Sequence, residues 1–196
     1  MAIDTEHYLA LLAQYIGSNR HGHSCNVAQL ARELAERFAP DLADKAELAG
    51  LLHDNAKRLK GDELIRLAAE HDIEITPVER QSPTLLHGKV GALFLSERFG
   101  VTDTDISQAV IDHVTGRPNM GLLSRILFVA DQAAADRDFP GVEELRASAI
   151  SDLDHAVFIA VMHKLLYVIS LNRVVEPRGL ELYNSLCLKE RKRASS

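Results

Sequence analysis

Along most of the chain the apolar positions recur at helical spacing, broken by short polar or proline-bearing stretches. Residues 4–16 form a first amphipathic segment, closed by Gly17-Ser18-Asn19. From about 20 to 39, His23, Val27, Leu30, Ala31, Leu34 and Phe38 fall on one helical face. Pro40 stops that helix, and Asp41 is placed to cap the next, 41–55. Gly61-Asp62 opens a short helix running to about His71. Ile73 to Pro83 carries two prolines and little periodicity, so it reads as a loop that borders a pocket. Helices follow at about 84–99, 104–114 and 119–135, separated by Gly100 and by Gly116-Arg117-Pro118. Phe139-Pro140-Gly141 reads as a turn. A helix at about 152–172 precedes a break near Glu176-Pro177, and a last helix starts soon after. The tail, 189–196, is charged and expected to fray. The pattern predicts one all-α domain over 1–196.

Composition narrows the class. With 46% hydrophobic and 26% charged residues the balance is that of an ordinary globular protein. A chain of 196 residues is enough to bury about 70% of its unfolded surface. Trp is absent and Ala and Leu are abundant, which favours close helix packing over a β-sandwich. The net charge of −6 argues against a nucleic-acid partner, which calls for a basic face. It still permits a polyanionic substrate if cations are concentrated locally. Cys25 and Cys187 are too few for a disulfide framework and suit a reducing cytoplasm. The N-terminus lacks the basic region and apolar run of a signal peptide. No apolar stretch reaches the roughly 18 residues of a membrane span, so a cytoplasmic protein with no membrane partner is expected.

Histidine and aspartate carry the chemistry. His23 shares its face with Val27, Leu30 and Leu34, so its imidazole points inward. Alone it reads as a core histidine satisfied by a backbone carbonyl. His53-Asp54 follows Leu51-Leu52, and Asp131 follows Ile126-Leu127-Phe128-Val129-Ala130, so both carboxylates approach an apolar interior and need a partner. For Asp131, Arg125 or Arg137 is within sequence reach. Two imidazoles and two carboxylates from three helices are a suitable set for a divalent ion. His87 opens His87-Gly88-Lys89-Val90-Gly91-Ala92 and His113 opens His113-Val114-Thr115-Gly116. Each taken alone reads as a cap or a surface residue; beside a metal site they would hold a second ion with Asp54 or contact phosphate. His7 and His71 read as surface residues, His21 as a neighbour of the site, and His155 and His163 as structural or solvated. Cys25 reads as a small apolar residue packed near the site.

Arg20-x-x-His23-Ser24, His53-Asp54-x-Ala56-Lys57, His87-Gly88-x-Val90-Gly91-Ala92, His113-x-Thr115-Gly116 with Met120, and Ala130-Asp131 with Arg137 occur in one order. Together they resemble the YqeK family of HD-domain proteins, symmetrical bis(5′-nucleosyl)-tetraphosphatases, over about 20–184. The resemblance implies an all-α HD-domain helical bundle that hydrolyses diadenosine tetraphosphate to two ADP. It implies His23, His53, Asp54 and Asp131 as ligands of iron or a similar divalent ion, one or two ions in all. His87 and His113 would complete a second site or contact phosphate. Asp54, Lys57 and Arg137 would be catalytic. Arg20, Asp54, Asn55, Lys57, His87, His113, Val114, Asp131, Arg137 and Arg178 would contact the nucleotide polyphosphate. A homodimer is compatible with the chain. Val114 stands where the family usually has Thr, Gln132–Asp136 replaces a stretch that usually carries Ile-Glu-Pro, and Gly179 replaces a common Thr. The competing readings are an HD phosphohydrolase for a nucleoside triphosphate, a deoxynucleotide monophosphate or a guanosine alarmone, and a nucleotide-binding module without catalysis.

Overall fold

The structure, a computed structural model, describes residues 4–16 and 18–194, with side chains described over 4–16 and 21–189. The helices, in chain order, are α1 (Thr5–Leu12), α2 (Ser18–Phe38), α3 (Ala43–Leu52), α4 (Gly61–Glu70), α5 (Pro77–Gln81), α6 (His87–Phe99), α7 (Thr104–Asp112), α8 (Leu122–Ala133), α9 (Val142–Ser151), α10 (Leu153–Ser170) and α11 (Pro177–Ala194). Short 3₁₀ turns at Pro40–Leu42 and Pro83–Leu86 lead into α3 and α6. No strand occurs among the described residues, so the fold is all-α.

Helix α2 lies along α3 and crosses α8, burying Val27, Ala31, Leu34 and Ala35. The approach to α3 is close because Gly50 has no side chain: a Cβ there would stand 2.7 Å from the Ala28 Cα. Helix α8 runs through the centre, with Ile126 to Ala130 fully buried. Helices α7, α9 and α10 pack around it. A smaller apolar cluster of Ala56, Leu64, Ala68, Leu86, Val90 and Phe94 joins α4 to α6. Gly88 permits the crossing of α6 over α7, since a Cβ would meet the Val110 carbonyl at 2.9 Å.

Several expectations need correction. Asp41 caps nothing: it sits inside the 3₁₀ turn, and α3 begins at Ala43 without a side-chain cap. That helix ends at Leu52, leaving 53–57 in turns rather than helix. The loop at 73–83 contains α5, started by a capping box in which Thr76 and Glu79 bond each other's backbone amides. Helix α9 has no counterpart in the hydrophobic pattern, which gave only the turn before it. The charged tail continues α11 to Ala194 instead of fraying at 189. Helix α10 also has the length and mean hydropathy, 18 residues at 1.4, that a membrane span has. Here its first half packs Leu153, Ala156, Val157, Ala160 and Val161 into the protein and Lys164 reaches a buried carboxylate, while Leu166, Tyr167 and Ile169 are exposed.

Candidate metal and substrate site

Turns and helix ends aim the site. His53 caps α3, His87 opens α6, and His113 caps α7. Each donates Nδ1–H to the carbonyl three residues back: His53 to Gly50 at 2.7 Å, His87 to Thr84 at 2.5 Å and His113 to Val110 at 2.6 Å. That assignment, made from the hydrogen-bond network, leaves all three Nε2 atoms as acceptors facing inward. All three residues are buried, so the surface reading of His87 and His113 does not hold, while the capping reading holds for His113 at the end of α7.

The Nε2 atoms converge on Asp54. His87 Nε2 and His113 Nε2 stand 3.1 Å apart, at 3.3 and 3.6 Å from Asp54 Oδ1. On the other side, His53 Nε2 is 3.7 Å from Asp54 Oδ2 and 3.8 Å from Asp131 Oδ1. His23 Nε2 is 3.2 Å from Asp131 Oδ1. Thus Asp54 faces two groups: His23 and His53 with Asp131 beside them, and His87 with His113. Within each of His23–His53–Asp54 and Asp54–His87–His113, the ligand atoms lie within 4.8 Å of one another.

The set fits a divalent cation. Buried acceptors facing each other repel unless a cation or a proton lies between them, and ligands about 2.1 Å from one ion stand about 3–4 Å apart. His53 Nε2 is buried without a hydrogen-bond partner among the described residues, which is costly unless something binds it. Burial pushes the pKa of His53, His87 and His113 down, the last to about 3, so these rings are neutral and ready to ligate near pH 7. Burial alone would raise the two aspartates. Histidines and Lys57 around Asp54, and His23, Lys164 and Arg137 around Asp131, hold both carboxyls well below the usual range instead. His23 is the exception among the rings. Burial lowers its pKa, but its contacts with Asp131 and Asp136 outweigh that and raise it.

Among the described residues, three cations sit against these groups. Lys57 Nζ donates to His87 Nε2 at 3.1 Å and lies 3.5 Å from Asp54 Oδ1. Arg137 Nη2 donates to Asp131 Oδ1 and stands 3.3 Å from His23 Nε2, while its Nε donates to the Asp131 carbonyl at 2.7 Å. Arg137 is therefore the partner of Asp131, and Arg125 pairs with Asp154. Sequence reasoning missed the third cation, Lys164. Its Nζ donates to the His113 and Val114 carbonyls at 3.0 and 3.2 Å and lies 3.6 Å from Asp131 Oδ2. A lysine that, with His163, interrupts the apolar 156–169 run was the available signal.

A cleft of about 250 Å³ opens beside this centre. Its polar end is Lys57, His87, His113, Asp131 and Lys164, and Val161, Leu165, Val168 and Val174 line the apolar end. Val114 lies in its wall. Asn55 does not: it is buried and donates its amide to the Leu52 and Gly91 carbonyls at 2.9 and 3.1 Å, tying the His53–Lys57 turns to α6. Arg178 lies on a small adjoining groove with Glu79, Lys89 and Thr115, while its neighbours Glu176 and Gly179 reach the cleft. The Arg20 side chain lies outside the described residues. His7 and His71 are exposed, and Cys25 Sγ is 3.9 Å from His21 Nδ1. His155 stacks on Phe158 and His163 packs against Phe139, both away from the centre.

Comparison with known proteins agrees with this geometry. The HD domain family matches residues 20–136, and the chain belongs to that family, whose members are metal-dependent phosphohydrolases. Within it the chain groups with YqeK-type symmetrical tetraphosphatases. It is 34% identical over 183 residues (93% of the chain, 97% of the relative) to the bis(5′-nucleosyl)-tetraphosphatase, symmetrical, of Halalkalibacterium halodurans. It is 35% identical over 184 residues to the Bacillus subtilis protein of the same name, covering 94% of this chain and 98% of that one. A crystal structure from Clostridium acetobutylicum, described as a predicted HD superfamily hydrolase involved in NAD metabolism, superposes with a TM-score of 0.90 at 32% identity. That match covers 96% of this chain and all of the other.

Proposed function

We propose that this protein hydrolyses dinucleoside tetraphosphates symmetrically, diadenosine tetraphosphate and water giving two ADP, on a metal centre between α2, α3 and α8. The observation that carries the reading is the convergence of four inward Nε2 atoms on Asp54 and Asp131 beside a cleft with a cationic end. In this reading His23, His53, Asp54 and Asp131 hold one divalent ion, iron being the proposed metal. Asp54, His87 and His113 hold a second ion or meet a phosphate oxygen. A bound ion would lower the pKa of a coordinated water and neutralise phosphate charge. Lys57 presents its ammonium to the polyphosphate, and Arg137, released from Asp131, adds its guanidinium where charge develops on the leaving ADP. Lys164 anchors the His113–Val114 backbone and balances Asp131, keeping the wall fixed as the anion enters. Val161, Leu165 and Val168 exclude water from the nucleoside side. At about 250 Å³ the cleft is at the small end of ligand sites (~300–1,000 Å³), so half of the substrate occupies it and the other half crosses the rim.

Two free cysteines support a reducing cytoplasmic setting. Exposed Leu166, Ile169 and Leu180 support a homodimer, which sedimentation would test. Chromatography of the reaction in ¹⁸O-water tests the activity: ADP should be the sole product, with label on one ADP of each pair. ATP with AMP, or orthophosphate released from mononucleotides, would move the chain to another HD phosphohydrolase. Tight binding without turnover would make it a nucleotide-binding module.

A further inference from the structure

Three of the four inward histidines are held alike, and the fourth is not. His53, His87 and His113 stand at helix ends or just after a turn, where backbone carbonyls keep lone pairs for a ring N–H. His23 stands inside α2, where carbonyls are taken by the helix's own hydrogen bonds. Its acceptor comes from 113 residues further along the chain: Asp136 Oδ2, 2.9 Å from Nδ1. The other oxygen of that carboxylate accepts from Asn26 Nδ2 at 3.0 Å, so α2 fixes Asp136 at two points one turn apart. Arg146 secures the segment from behind. Its guanidinium donates to the carbonyls of Ala133 at 3.0 Å and of Ala134 and Arg137 at 2.8 Å, holding the end of α8 and the turn after it as one piece. Asp136 ends the Gln132–Asp136 stretch, where the chain departs from the pattern it otherwise resembles.

We infer that Asp136 is the positioning residue of His23: by accepting Nδ1–H it keeps Nε2 free of a proton and aimed past Asp131 at the centre of the site. Asp131 and Asp136 grip opposite edges of one ring, 3.2 Å from Nε2 and 2.9 Å from Nδ1. Without Asp136 the proton can move to Nε2, where it bonds Asp131 and cancels His23 as a ligand. A carboxylate behind a metal-binding imidazole orients the ring and raises its basicity, and its loss typically costs about 10–100-fold in metal affinity. The inference rests on the metal-site reading above.

The test titrates Co²⁺ into metal-free wild type, Asp136→Ala and His53→Ala, and records the ring-nitrogen NMR of His23 in the first two. Asp136→Ala should bind Co²⁺ about 10–100-fold more weakly, and its His23 should shift toward the Nε2–H tautomer. A purely structural side chain would leave that tautomer unmoved. Wild-type affinity and tautomer in Asp136→Ala, with binding lost in His53→Ala, would overturn the role of Asp136 alone. Unchanged binding in His53→Ala would overturn the metal site itself. Asp136→Ser, whose short hydroxyl cannot span to His23, carries the same test should the alanine protein not fold.

Discussion

A buried histidine that refuses a proton makes the metal-free protein sensitive to mild acid. His53, His87 and His113 have lowered pKa values in the folded state, against about 6.5 in the unfolded chain. Below pH 6.5 the unfolded chain therefore takes up protons that the folded chain does not, and stability falls as pH falls. For His113 this window extends from 6.5 down to about 3. Each ring contributes at most about 1.4 kcal/mol per pH unit. His23, with its raised pKa, works in the opposite sense: its contribution is complete below 6.5 and is lost as pH rises through its folded value. Asp54 and Asp131 keep theirs until pH falls below the ordinary carboxylate range. Three rings outnumber one, so urea unfolding of the metal-free protein should give lower stability at pH 5 than at pH 7; equal or higher stability at pH 5 would contradict the protonation scheme. Lys164 gives a second residue-level prediction. Lys164→Met keeps the length but removes the ammonium from Asp131 and the cleft. A charged hydrogen bond is worth about 1.5–3 kcal/mol, so KM for diadenosine tetraphosphate should rise roughly tenfold or more. An unchanged KM in steady-state assays would remove Lys164 from the site.

Among the elements, helices with a clear apolar stripe were legible, short ones such as α4 and α7 included, and those with a faint stripe were not. Helix α2 announces itself through Val27, Ala31 and Leu34. Helix α9 buries only Val142, Leu145, Ser148 and Ala149, two of them small, so its stripe is faint in the sequence. The start of α10 is marked instead by a cap, Asp152 accepting from the His155 amide at 3.1 Å. Helix α5 was hidden by its prolines, although Thr76 and Glu79 spell its capping box and Pro77 stands at the first position, where proline is tolerated. The contact between α2 and α3 makes a prediction of its own. Gly50→Ala would put a Cβ 2.7 Å from the Ala28 backbone, so the helices must separate, carrying His23 and His53 apart. Overpacking of this kind costs about 1–3 kcal/mol, readable as a lower urea midpoint. A midpoint equal to wild type would mean that the crossing yields freely.

At the scale of the whole molecule, His23, His53, Asp54 and Asp131 were legible because each lies beside an apolar run that forces it inward, whereas His87 and His113 stood out only through the resemblance. The partners of these residues were not legible. Nothing local in the sequence ties Asp136 to His23 or Lys164 to Asp131; only the packing of α10 and the end of α8 against the rest brings them together. The molecule is acidic overall, at −6, yet it gathers Lys57, Arg137 and Lys164 around the two buried carboxylates Asp54 and Asp131. Attraction between exposed charges is screened by salt, so KM for the tetraphosphate should rise with ionic strength. A KM independent of salt would deny that local field a part in capture. The most direct measurement concerns Asp54, whose two oxygens face both histidine groups. Asp54→Ala, purified without oxygen and checked for folding by circular dichroism, would be assayed together for metal content and for ADP formation. Both should fall to background; a folded variant with wild-type metal content, or one that still makes two ADP from each tetraphosphate, would contradict the account.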